Sequence, residues 1–216
     1  MLYTNQEIEA KLKEFRDFGV FVDFRFFKFS NISKEYDAHF LTAKNTILEL
    51  QEDKEYQYFP IDFNEQVLQK SGEKISLRDF MGPFFDLELR KPILHGSFPY
   101  SYEYFYYDIK EKKSNIIPLT QFKNDKSEYW TQGFMETFLE PPHGTEVGKN
   151  KLEIGNYFLS TCDFLFSNLN ELTIYKWSVD CSNYFDAGKE WWGSQFWTVY
   201  NPTKDYYIGI AASATD

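Results

Sequence analysis

Residues 172–216 limit the fold more than any other part of the chain. They read TIYKWSVD, CSNYFDAGKEWWG, SQFWTVY, NPTK and DYYIGIAASATD, after a leading Leu172. Runs rich in aromatic and β-branched residues, broken by short polar segments, are the pattern of strands. NPTK separates the last two runs and supplies the turn of an antiparallel hairpin. A hairpin this apolar is marginal alone in water, so it needs further strands or a helical layer against it. Phe196, Thr198 and Tyr200 alternate with Gln195, Trp197 and Val199. One face is therefore expected on helices and the other partly wet.

The upstream segments supply that layer. Thr4, Asn5, Gln6 and Glu7 read as a capping box with Thr4 as N-cap. Ile8, Leu12, Phe15 and Phe18 follow at helical spacing, and Gly19 ends the helix. Residues 20–29 alternate, with Val20, Val22, Phe24 and Phe26 on an apolar side and Phe21, Asp23, Arg25 and Phe27 on a mixed one. Tyr36, Phe40, Ala43, Ile47 and Leu50 predict a long amphipathic helix, closing in the acidic cluster Glu49, Glu52, Asp53 and Glu55. Residues 64–70 read as a short helix closed by Gly72. The tyrosine-dense stretch 100–109 reads as a strand that pairs with 116–122. Helical spacing returns over 127–140, stops at Pro141-Pro142, and returns again over 153–166.

Helices and strands do not alternate regularly, which argues against a doubly wound parallel sheet. The expected fold is α+β: a mainly antiparallel, twisted β-sheet with several helices packed on one face. The C-terminal β-hairpin is integral to that sheet. A single domain over 1–216 is expected, with 141–151 as a candidate hinge loop.

Aromatic residues are 20 % of the chain, with 23 Phe, 16 Tyr and 5 Trp. Each buried ring removes roughly 150–250 Å² from water, so Phe can build the core in place of Leu. Some Tyr and Trp rings should lie at the surface with their polar tips wet.

The charge balance of 23 basic against 33 acidic residues gives −10. That field repels nucleic acid and anionic membranes and attracts basic partners. Only Arg16, Arg25, Arg78 and Arg90 offer guanidinium groups, so a phosphate-rich ligand is disfavoured. Abundant Lys, Asn, Ile, Phe and Tyr with sparse Ala and Arg point to an AT-rich, low-GC bacterial source. The opening MLYTNQEIEAKLKEF lacks a secretory pattern, and no apolar run approaches a membrane span. A cytoplasmic location with reduced thiols is expected.

No catalytic motif emerges. His39, His95 and His143 lack metal-ligand spacing with one another or with Cys162 and Cys181. There is no nucleophile elbow and no phosphate-cradling loop. Cys181 with His143 as a distant base is the one nucleophilic pairing to name. No catalytic residue, cofactor or metal is assigned.

The loop 180–193 remains, with Asp180, Asp186, Glu190, Trp191 and Trp192. Acids beside indoles make a protein-binding hot spot. They also make a sugar site, with rings on the sugar face and acids on its hydroxyls. A tryptophan that merely anchors the loop, with acids solvating it, is the structural alternative. The expected function is a protein-interaction module of immunity or inhibitor type that binds a basic protein partner, not nucleic acid and not membrane. The alternative is a carbohydrate-binding or hydrolytic domain using the carboxylates and tryptophans of this loop. The oligomeric state is not encoded legibly.

Overall fold

In the computed structural model the hairpin ending the chain forms as its alternation predicts. Ser194–Asn201 pairs antiparallel with Tyr206–Ser213, in a register that sets Trp197 opposite Ile210 and Thr198 opposite Gly209. Asn201 Oδ1 accepts the Lys204 amide at 3.2 Å, and Asp205 takes the left-handed conformation at φ 50° to close the turn. Asp tolerates that region better than most residues. The structure describes residues 1–30, 32–53, 60–95, 104–108, 113–117, 133–139, 151–190 and 193–214.

The elements run α1 (Gln6–Asp17), β1 (Val22–Phe27), α2 (Glu35–Gln51), α3 (Glu65–Ser71), β2 (Glu73–Lys74), α4 (Leu77–Met81), β3 (Phe85–Asp86) and β4 (Lys91–Pro92). They continue with β5 (Leu94–His95), β6 (Tyr104–Asp108), β7 (Lys113–Ile117), α5 (Phe134–Leu139) and α6 (Lys151–Phe166). The chain closes with β8 (Thr173–Lys176), α7 (Asp186–Lys189), β9 (Ser194–Asn201) and β10 (Tyr206–Ser213). The main sheet has the order β1-β10-β9-β8-β2, antiparallel throughout. β10 thus lies inside the sheet, between the first and penultimate strands of the chain.

The α+β class, the antiparallel sheet and the integral hairpin are as expected. Several helices pack on one face. Val22, Phe24, Phe26, Trp197, Val199, Ile208 and Ile210 share a core there with residues of α1, α4, α5 and α6. Its interior is a phenylalanine lattice: Phe134 stacks on Phe80 at 5.1 Å, and Phe15 meets Phe138 edge-on at 5.5 Å. Such ring pairs add about 0.5–1.5 kcal/mol each beyond burial.

The opposite face is covered over most of its area, with Asp23, Arg25, Tyr200 and Tyr207 left half-buried on it. Helix α2 is that cover, and Ala43, Ile47 and Leu50 pack with Tyr175, Trp177, Phe196 and Ala211. Small inward residues let the helix approach closely. Thr42 and Thr46 return their hydroxyls to the carbonyls of Ala38 and Thr42, at 2.7 and 2.8 Å, so neither is left unsatisfied.

Local differences have local causes. The first helix is capped by Asn5, not Thr4: Asn5 Oδ1 accepts the Ile8 amide at 2.8 Å, while Thr4 Oγ1 donates to Glu9. Gly19 does follow that helix with φ 72°. The tyrosine-rich strand pairs with 113–117, earlier than 116–122. Together with β5 it forms a separate three-stranded sheet. Of the candidate hinge 141–151, residues 141–150 lie outside the described residues and Lys151 begins α6. No helix among the described residues is long and apolar enough to cross a membrane.

Candidate functional site

The loop after β8 is built from serine-capped single turns. Ser178 Oγ accepts the Asp180 amide at 3.1 Å and Ser182 Oγ accepts the Tyr184 amide at 3.2 Å. Two 3-10 turns result, Val179–Cys181 and Asn183–Phe185, and they lead into α7. Cys181 and Phe185 are buried beneath them, with Phe185 against Phe196 at 5.3 Å. Asn183 ties the loop to the segment after α2, accepting the Asp62 amide at 2.7 Å and donating to the Pro60 carbonyl at 3.0 Å. The loop is therefore a fixed surface with an apolar underside.

On its outer side the structure brings Asp180 and Asp186 together. Both reach Lys189 Nζ, at 3.0 and 2.8 Å. Burial lowers the Lys189 pKa, but hydrogen bonds from its ammonium to Asp186 and Asp180 outweigh that and hold it above the ordinary lysine value. The ammonium takes the place between the two acids that a sugar hydroxyl or an attacking water would need. Glu190 is exposed one residue further on and does not join the fork. Trp191 and Trp192 lie outside the described residues.

The nucleophiles and the described histidine side chain are in the core. Burial pushes the Cys181 thiol up to about 12 and the Cys162 thiol well above its usual value. Cys181 is thus a packing residue and not an activated thiolate, whose formation needs a lowered pKa. His143 lies outside the described residues. His39 is 0 % exposed, and burial drives its pKa to about 3. Its Nδ1 lies 2.8 Å from Thr198 Oγ1, which also accepts the Trp177 indole N–H at 2.9 Å. Its ring packs on Tyr175 at 4.5 Å. Among the described residues no group of three His, Cys, Asp or Glu side chains could hold a metal ion.

A cleft of about 430 Å³ lies at the start of β1, lined by Leu12, Arg16, Phe21, Asp23, Arg25, Asp53 and Tyr184 among others. One polar chain crosses it. Tyr184 donates to Asp23 Oδ2 at 2.8 Å, and Asp23 Oδ1 meets Arg25 at 3.3 Å. The other guanidinium nitrogen of Arg25 meets Asp53 Oδ2 at 2.8 Å. Arg25 is only 16 % exposed, so removing either acid would leave a largely desolvated charge with one partner fewer. These residues escape a reading of the sequence for sites. Asp53 looks like one more acid in a solvated cluster, and Tyr184 stands beside more conspicuous tryptophans. The available signal is the Asp23/Arg25 pair on one side of an otherwise apolar strand.

No family model matches the chain, and neither a curated protein nor a solved structure matches it.

Proposed function

We propose that this chain is a cytoplasmic bacterial protein-interaction module, of immunity or inhibitor type, that binds a basic protein partner. The observation that carries this reading is where chemistry and charge reside. The described nucleophiles and His39 are consumed in the core, while the surplus of negative charge, −10 over the chain, remains for a partner to meet. The 180–190 loop is the favoured contact, because its acids are exposed on a surface held rigid from below. A rigid, charged surface suits fast, steered association. A carbohydrate site on the same loop would require Lys189 to leave the space between Asp180 and Asp186.

The test has two stages. The immobilised protein captures partners from its source cells, each is identified, and the most basic is purified. Calorimetric titration then follows affinity as ionic strength rises from about 0.05 to about 0.5 M. A stoichiometric complex that weakens with salt, weakens in Asp180→Asn/Asp186→Asn/Glu190→Gln, and blocks the partner's activity supports the reading. Salt-independent binding, or captured partners that are all acidic, sinks it.

A further inference from the structure

The cleft at β1 shares Tyr184 with the 180–190 loop and is otherwise lined chiefly by α1 and β1. Its lining alternates along the strand: Val22 and Phe24 belong to the apolar face, Asp23 and Arg25 to the opposite one. Successive side chains point to opposite faces of a strand, so both sets line one cavity only where the strand's edge or end forms its floor. β1 is the terminal strand of the sheet.

The chain itself shows that this edge accepts a strand. The Tyr3 amide donates to the Phe26 carbonyl at 2.7 Å, the Lys28 amide donates to the Met1 carbonyl at 3.1 Å, and Leu2 bridges to Phe27. This self-pairing stops opposite Phe26, because Asn5 turns away to cap α1. Peptide groups of alternate residues point to the same side, so those of Phe24 and Val22 also face outward. The Phe24 carbonyl already accepts from Arg25 Nη1 at 3.1 Å, a bond that an incoming strand would replace.

The side chains around this edge select a type of occupant. Two of the chain's four arginines line the cleft. Arg25 is held by Asp23 and Asp53. Arg16, exposed in the last turn of α1, has no carboxylate within ion-pair distance among the described residues. Phe21 stands beside it 48 % exposed, and Leu12 adds apolar wall. An unpaired guanidinium favours a carboxylate locally, against the net charge of −10 of the whole chain. The volume falls within the range of roughly 300–1,000 Å³ usual for ligand clefts.

We propose that this cleft binds an extended peptide segment by β-augmentation. The segment continues the edge of β1 at Val22–Phe24, lays an apolar side chain on Phe21 and Leu12, and places an acidic side chain on Arg16. Main-chain hydrogen bonds supply affinity and the alternate side chains supply selection. Tyr184 of the 180–190 loop lines this cleft as well, but Asp180, Asp186 and Glu190 do not, so this proposal and the basic partner proposed for that loop can fail separately.

The probe is an N-acetylated, C-amidated hexapeptide of alternating valine and glutamate, titrated into the isotopically labelled full chain. The expected result is saturable shifts of the Val22, Phe24 and Arg25 amides in two-dimensional NMR spectra. Affinity should fall about tenfold in Arg16→Gln, the loss of one charge-assisted contact. Phe21→Ser should weaken binding as well. Both residues are exposed, so each variant should keep a dispersed spectrum. The proposal is overturned if the β1 amides do not respond at millimolar peptide, or if a valine–lysine peptide binds equally well. It is also overturned if Arg16→Gln changes nothing, or if acetate alone reproduces the shifts and the peptide adds none.

Discussion

Gly209 in β10 faces Thr46 in α2 so closely that no methyl group fits between them. A Cβ at position 209 would fall on Thr46 Oγ1, with Thr46 Cβ 2.9 Å and Cγ2 3.1 Å away. The helix sits against backbone, and a threonine fills the groove that the missing side chain leaves. Gly209→Ala should lower stability by about 1–3 kcal/mol, the usual cost of overpacking a core. Thr46→Ala in that background should restore part of the loss, a coupling of about 0.5–3 kcal/mol in a double-mutant cycle of denaturant melts. Strictly additive effects would mean that the helix shifts instead.

Thr198 joins two elements through one hydroxyl. Thr198→Val keeps the shape but leaves the Trp177 N–H and His39 Nδ1 without their partner. The expected cost is about 1–3 kcal/mol for each buried group left unsatisfied. Thr198→Ser, which keeps the oxygen, should cost less. Urea melts followed by tryptophan emission would compare the two, and a valine variant as stable as wild type would rule out the node.

His39 makes the fold sensitive to acid. Burial lowers its pKa from 6.5 to about 3, and the nearby Glu35 carboxylate offsets only part of that. Between those values the unfolded chain binds a proton that the native chain does not. Stability is therefore full above pH 6.5 and falls as the pH drops toward 3. Glu35 acts in the same direction at lower pH. Its hydrogen bond with Lys74 holds its pKa below 4.5, so its contribution is present above that value and lost beneath it. Melting temperatures measured across this range should decline with a steeper slope in wild type than in His39→Gln. The comparison rests on the slopes, because the variant also changes the packing against Tyr175.

Truncation before Tyr206 should abolish folding. β10 is paired on both sides, with β1 through six residue pairs from Val22–Ala212 to Phe27–Tyr207 and with β9 along its whole length. Its removal separates β1 from the rest of the sheet and uncovers both cores. Calorimetry should show no cooperative transition. A sharp melt in the truncated chain would contradict the architecture.

The element pattern was legible because it depends on near neighbours. Alternation along 22–27 and 194–201, the Ile8/Leu12/Phe15 spacing and the Asn64 and Gly72 helix ends all repeat at distances set by local backbone geometry. The exposed acids of the 180–190 loop were legible too, since charge beside short polar turns stays at the surface. Lys189 was overlooked because its role depends on two acids converging in space.

By itself the sequence determined the α+β class, the closing hairpin and the phenylalanine core, through periodicities that local sterics and burial impose. Only the tertiary structure decided that α2 covers most of the second face of the sheet and buries Thr198 there. It also decided that His39 meets Thr198 across 159 residues and that Tyr184 meets Asp23 across 161 to wall the β1 cleft. The reason is physical. A residue's secondary structure is written in its neighbours, but what covers it depends on which distant surfaces fit. Here a glycine and a threonine set that fit, and neither carries a signal until the helix lies on the sheet.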